Sequence, residues 1–415
     1  MSRNPVIIVG GGLSGLACAR ALEARGVEQI EIFEAASKPG GRVRTDEVDG
    51  YLLDRGFQVY LSDYQEAGRM LDLEALDLHA FEPGALVHRD GRWHQLCDPF
   101  RAASPGEVIQ SVKAPIGTLA DKLRVGTLRL SLGGDTSETP AVFATERKST
   151  RDFLLDYGFS ERMLADFFEP FYGGVFLERE LATSAAMFRL TFGAFARGVA
   201  ALPSRGMEAI PAQLAAQLRH TAIHCGKTVD EVGPGHVRVA GEGRREAAAV
   251  VLAVESPAAA RLQPDYPAVA GKPVTCLYYT VPEPPWHEPM VALDAEPGTP
   301  IQTLVAPGLV APGYSPGSRE LISVSVLGSH DPDTLRKPVE NRLHALFPAI
   351  PKGEWQFLRA YRVSHALPVN PPGYPKPYQP ANGIFLAGDH RVHGSIEGAI
   401  RSGRQAADQI ISHLG

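Results

Sequence analysis

The sequence predicts an α/β fold in which a Rossmann-like dinucleotide-binding domain is completed by a discontinuous α+β domain. Three observations carry this. The chain begins with a strand, a G-x-G-x-x-G turn, a helix and a second strand that ends in an acid. It closes with a strand that runs into Gly-Asp and then a helix. Between them, residues 267–330 alternate apolar and polar in short proline-rich pieces, suiting a sheet broken by turns.

Val6-Ile-Ile-Val9 is an apolar, β-branched run fit for a strand buried on both faces. Gly10, Gly12 and Gly15 follow, with Leu13 and Ser14 between the last two. The first glycine allows a tight turn, the second lets backbone approach a pyrophosphate, and the third lets helix and strand pack closely. The helix-like stretch Leu16 to Arg25 stops at Gly26, and its N-terminus offers free N–H groups to phosphates. Ile30 to Phe33 is the next strand. Glu34, with Ala35 after it, falls where a carboxylate accepts from ribose hydroxyls and disfavours a 2′-phosphate.

Gly40 and Gly41 permit a chain reversal near the phosphates. Arg42 and Arg44, on alternate positions of an extended segment, point the same way, so one or both can pair with a pyrophosphate. A plain basic surface loop is the competing reading. At the other end, Gly383 to Ala387 reads as a strand, followed by Gly388-Asp389 and a loop. Ser395 is an N-cap for a helix with Ile396, Ala399, Ile400, Gly403, Ala407, Ile410 and Ile411 at helical spacing. Asp389 is placed to hold hydroxyls of a cofactor. The N–H groups near Glu397 and Gly398 suit the edge of a ring where negative charge develops on reduction. An ordinary terminal β-α unit remains the alternative.

Composition bounds the function. The 415 residues suit two to three domains. With 44% hydrophobic and 21% charged residues the chain reads as globular, and a net charge of −6 argues against nucleic-acid binding by bulk basicity. Four scattered cysteines without C-x-x-C spacing predict neither zinc nor a disulfide framework and suggest a reducing, cytoplasmic setting. Thirteen histidines show no H-E-x-x-H pattern, so no metal is expected. No signal peptide, no 18-residue apolar span and no internal repeat is read.

Together these motifs resemble the FAD-dependent amine oxidase superfamily, which includes flavin monoamine oxidases, protoporphyrinogen oxidases and phytoene desaturases. The resemblance is specific at Val6 to Glu34, Gly40 to Thr45 and Ala387 to Ala407. It implies FAD and a GR2-type FAD-binding domain made of 1–90, 203–265 and 366–415, with 91–202 and 266–365 as substrate domain. Asp54 to Val59 looks like the segment under the isoalloxazine ring, which brings in Gly56, Phe57 and Gln58. Val229 falls where relatives make a backbone contact to adenine. Phe153 to Phe176 looks like the helical substrate domain of the desaturase and protoporphyrinogen oxidase branch. No cysteine lies in the C-terminal flavin segment, so the flavin is expected to be non-covalent. The runs Val274 to Val281 and Leu321 to Leu327 carry no lysine, unlike many amine oxidases.

The middle of the chain is less informative. Tyr64 to Leu78 reads as one helix, and 131–140 as a polar loop. In 115–132, Ile116, Leu119, Leu123, Leu128 and Leu130 alternate with Lys122, Arg124 and Arg129. That pattern fits peripheral attachment to a membrane or a substrate-domain helix with a solvated basic face, and the second is preferred. Phe153, Tyr157, Phe159, Phe167, Phe168, Phe171, Tyr172 and Phe176 line an apolar cavity or, for most of them, form core. Gln58, Tyr361, His390 and His393 are the candidates for the cavity wall.

The expected function is hydride removal from an apolar, isoprenoid-like or tetrapyrrole-like small molecule by FAD. A flavin amine oxidase and a non-redox flavin-binding protein are the alternatives. Oligomeric state is not legible in the sequence.

Overall fold

The structure is a computed structural model and describes residues 4–102, 104–132, 140–376 and 378–415. Of the polar loop expected at 131–140, residues 133–139 lie outside the described residues.

The first sheet is parallel and five-stranded, in the order Thr221–Cys225, Ile30–Glu34, Val6–Val9, Ala249–Leu252 and Ile384–Leu386. Its inner strands Val6–Val9 and Ala249–Leu252 read as unbroken apolar runs because both faces are covered. Val6 and Ile8 pack with Leu16, Leu22, Ile400 and Ile410 of the flanking helices Leu13–Glu23 and Ile396–Leu414. Ile7 and Val9 pack with Val237 and Val239 of a three-stranded antiparallel sheet formed by Val229–Gly233, His236–Val239 and Gly243–Glu246. The two helices approach so closely that a methyl group at Gly403 would overlap the Ser14 carbonyl oxygen. The first and last segments of the chain are thereby locked together.

The second sheet has seven strands, in the order Gln356–Pro368, Gly271–Val281, Glu320–Leu327, Thr303–Val305, Val291–Asp294, Gly84–Arg89 and Arg92–Cys97. The boundary expected at residue 90 falls at the turn of the hairpin 84–97, both of whose strands stand in this sheet. The sheet buries its own core around Leu277, Tyr279, Ile322 and Val324. Beside it lies a helical layer built on aromatic side chains, including Phe159, Phe168, Tyr172, Phe176 and Phe188.

Local signals explain the element ends. Ser149 and Asp152 form the capping box that starts Thr150–Asp156. The single helix expected over Tyr64 to Leu78 is instead two helices, Gln65–Met70 and Leu73–Leu76, followed by the strand Leu78–Ala80. Leu71 turns to extended backbone, and the Asp72 carboxylate restarts the helix by accepting from the Ala75 amide. Strand Gly271–Val281 begins earlier than the apolar run suggested and so includes Lys272, whose Nζ donates to Glu178 and to Thr183.

Candidate functional site: a cavity between the two sheets

A cavity of about 870 Å³ runs from the Gly-rich turn to the aromatic helical layer. Gly12, Leu13, Ser14, Glu34, Ala35, Gly41, Arg42, Arg44, Gly56, Phe57, Gln58, Gly388, Asp389, Ile396 and Ala399 all line it. Segments more than three hundred residues apart therefore meet on one wall.

At one end the chain is shaped for an anion. Gly12 is the N-cap of the helix Leu13–Glu23, and no side chain caps it, so its first amides are open to the cavity. A Cβ on Gly12 would meet only the Gly41 Cα, at 3.8 Å, and would otherwise protrude into the cavity. Gly10 and Gly15 do not line the cavity. They allow backbone contact instead: a Cβ on Gly10 would stand 2.6 Å from the Ala253 carbonyl oxygen, and one on Gly15 would overlap the Gly10 carbonyl. Glu34 is held by two amides, with Gly11 N donating to Oε2 at 2.7 Å and Ala36 N to Oε1 at 2.8 Å. A carboxylate has about four lone-pair sites, so two remain for hydroxyls.

Arg42 and Arg44 part company. Arg42 donates to Asp389 Oδ1 at 2.6 Å and to the Ala366 carbonyl at 2.9 Å, tying the first segment to the last. Burial alone would raise the Asp389 carboxyl, but Arg42 and His390 outweigh it and hold the group well below the carboxylate range. Arg44 is buried, donates from Nη2 to the Lys38 carbonyl, and leaves Nε without a hydrogen-bond partner. Gln58 donates to the Arg42 carbonyl at 3.2 Å while its buried Oε1 has no partner. Buried orphans on a cavity wall call for a ligand to complete them. An uncapped helix N-terminus, an orphaned guanidinium N–H and a carboxylate with spare lone pairs fit a dinucleotide.

The remaining expected site residues lie elsewhere. Glu397 is buried but turns from the cavity: its carboxylate accepts from the amides of Glu66 and Ala67 and pairs with Arg401. The Gly398 amide is taken by Ser395 Oγ at 2.9 Å. Val229 pairs with Val239 in the antiparallel sheet, outside the lining. Tyr361 donates to Asp46 Oδ2 at 2.8 Å, and burial together with Asp46 pushes its hydroxyl up to about 12. On the same strand Val363 reaches the cavity and Tyr361 does not. His390 and His393 are buried away from the lining. His393 stacks on Phe143 and bonds Ser395 at 3.0 Å, and its burial lowers it to about 3, so it is neutral. None of these three side chains lines the cavity.

At the other end Phe167, Phe171, Tyr172, Val175, Leu177, Met187, Phe192 and Phe195 form an apolar arm. Of the eight aromatics expected in 153–176, three line it, Phe159, Phe168 and Phe176 are core, and Phe153 and Tyr157 pack half-buried against that core. The sequence reading missed Phe192 and Phe195. Their spacing from Phe188 on the helix Ala185–Arg197 was the available signal. Also missed were Arg101 and Arg129 on the lining, both held by neighbouring carbonyls, and Gln302, which is fully engaged by Arg179 and two carbonyls. Among the described residues no group of three His, Cys, Asp or Glu side chains could hold a metal ion.

The fold has counterparts among solved structures. A structure from Exiguobacterium sp. 255-15, provisionally assigned as a protoporphyrinogen oxidase, matches with a TM-score of 0.74 at 18% identity over 99% of both chains. A putrescine oxidase bound to putrescine matches with a TM-score of 0.69 at 18% identity, again over 99% of both. Among curated sequences, protoporphyrinogen oxidase 2 of Arabidopsis thaliana is 36% identical over 72 residues, 17% of this chain and 14% of that protein. Coproporphyrinogen III oxidase of Bacillus subtilis (strain 168) is 31% identical over 74 residues, 17% of this chain and 16% of that one. These two matches thus span about one sixth of the relatives' length. The model of the flavin containing amine oxidoreductases matches residues 13–411, nearly the whole chain, and the protein belongs to that family.

Proposed function

We propose that the protein is an FAD-dependent oxidoreductase that removes hydride from a C–H bond of an apolar small molecule. The observation that carries this reading is the continuity of one cavity from the phosphate-binding turn to the aromatic arm. FAD, when bound, supplies the hydride acceptor. The chain does the rest. The open amides after Gly12 and the Arg44 guanidinium hold phosphate oxygens, and Glu34 accepts from ribose hydroxyls. Gln58 Oε1 accepts a hydrogen bond from the cofactor or the substrate. The aromatic arm excludes water and fixes the substrate face by shape.

Non-covalent binding is supported by the cysteines. None lies between Gly388 and Ala399, and Cys97, which lines the cavity, has its sulfur against Ser111 Oγ. Four free thiols support a reducing, cytoplasmic setting. On this reading the chain divides into two discontinuous units: residues up to about 83 with 203–265 and 369–415 hold FAD, and the rest hold substrate. The sheet memberships support these limits.

The test is anaerobic mixing of the purified protein with a reduced tetrapyrrole, a polyene or an alkyl amine. Loss of the oxidised flavin bands with either apolar compound, and not with the amine, is the expected result. Bleaching by the amine alone would make the protein an amine oxidase. Tight FAD that no compound bleaches would favour a non-redox role.

A further inference from the structure

Among the described residues, five that are not glycine have positive φ. Three are Asp49, Asp77 and Asp90, and aspartate visits the left-handed region readily in turns. The other two are Leu177, at φ 54°, and Leu181, at φ 52°. Both stand in the connection between the helices Glu169–Phe176 and Ala185–Arg197. A left-handed residue that ends a helix is ordinarily glycine, because a Cβ there crowds the backbone. For Leu181, burial offsets the strain: its side chain is fully covered in the aromatic core with Phe176 and Phe188. Leu177 has no such compensation. It is half-buried, belongs to no hydrophobic core among the described residues, and lines the apolar arm of the cavity.

The chain after Leu177 is tied down. Glu178 accepts from Lys272 Nζ at 2.6 Å and from the Thr183 amide, and Lys272 also donates to Thr183 Oγ1 at 2.8 Å. Arg179 donates to Gln302 Oε1 at 2.9 Å and to the Thr299 carbonyl at 3.0 Å. Lys272 belongs to the strand Gly271–Val281, and Gln302 leads into Thr303–Val305, so both ties reach the seven-stranded sheet. The turn before Leu177 lies on that sheet as well: a Cβ on Gly174 would stand 2.6 Å from Thr303 Oγ1. Strained backbone persists where its surroundings over-determine it, and it gathers at ligand sites.

We propose that Leu177 sets the reach of the arm: its isobutyl group is the stop that limits how far an apolar substrate enters, and the ties of Glu178 and Arg179 hold it there. The proposal rests on the reading of the cavity as the substrate site. It assigns the inner end of the substrate to an apolar chain or ring edge. Leu177 offers only aliphatic surface, and Gln302 on the same arm is spent on Arg179 and two carbonyls.

The test is calorimetric titration of the FAD-loaded protein with 1-alkanols from hexanol to dodecanol, for the wild type, Leu177→Ala and Leu177→Gly. In the wild type each added methylene should raise affinity about fourfold until the chain meets Leu177, where the gain stops. Both variants should move that limit to longer chains, by about two methylenes or more. Leu177→Gly removes the strain with the side chain, so its Tm should equal or exceed that of Leu177→Ala, whereas Leu181→Gly should lower Tm sharply. No limit in the wild type, or a limit at the same length in all three proteins, overturns the proposal and leaves the cavity as the substrate site. Leu177→Gly destabilised as much as Leu181→Gly overturns it too, and makes Leu177 a packing residue. Alkanols that bind none of the three proteins sink the substrate reading and this proposal with it.

Discussion

A methyl group on Gly15 would collide with the Gly10 carbonyl, whereas one on Gly12 would enter open cavity. The two glycines of one motif should therefore fail differently. Gly15→Ala is expected to destabilise the fold by several kcal/mol, seen as a large drop in Tm. Gly12 already has φ −76°, so Gly12→Ala should keep the apoprotein's Tm and weaken FAD binding at least a hundredfold by equilibrium dialysis. Equal losses of stability in the two variants would refute the distinction. Asp54 offers a second residue-scale prediction. Burial raises its carboxyl to about 6, against hydrogen bonds from Thr45, Tyr314 and the Met207 amide. A group raised in the fold binds its proton more tightly folded than unfolded, so its contribution to stability falls as pH climbs from about 4 to about 6. Asp54→Asn should accordingly gain on the wild type by about 2 kcal/mol between pH 4 and pH 7 in urea titrations. A pH-independent difference would contradict this. The motif glycines and Glu34 were legible because their placing depends on neighbours close in sequence or on backbone geometry, whereas the partner of Asp389, Arg42, stands 347 residues away. The orphaned Arg44 Nε was not, since it depends on what fails to surround it.

At the scale of elements, Glu397 shows where pattern reading stops. A helix N-terminus beside Gly-Asp was legible, but the direction of the Glu397 side chain was not. Its partners, the amides that open Gln65–Met70, stand 330 and 331 residues away in sequence. Glu397 is a carboxylate cap on another helix, held at 3.0 Å by Arg401. Glu397→Gln is expected to lower stability by about 1–2 kcal/mol in denaturant titrations and leave the FAD dissociation constant unchanged. A large loss of FAD affinity with normal stability would return Glu397 to the cofactor site. The strand Thr221–Cys225 also went unread. It is a half-exposed edge of the parallel sheet without an apolar run, so nothing local distinguishes it from a loop. Helical spacing likewise finds Leu119, Leu123 and Leu130 on one face but cannot say whether that face meets protein.

At the scale of the whole molecule, the site exists only when three distant segments close. The Arg42–Asp389 pair and the Ser14–Gly403 contact bring the first and last segments onto one cavity wall. The sequence implied such closure through motifs at both ends, whereas the depth and lining of the arm depended on packing between helices that no local signal encodes. A ligand bridging these segments stabilises the folded state by linkage. Free FAD at a thousand times its dissociation constant should add about 4 kcal/mol, read as a rise in Tm of the apoprotein. The most direct test of the account is the absorption spectrum of the purified protein, followed by that of the filtrate after denaturation. The account predicts flavin bands on the native protein and one equivalent of FAD free in the filtrate. A protein that stays colourless in excess FAD, or colour retained on the denatured chain, would contradict it.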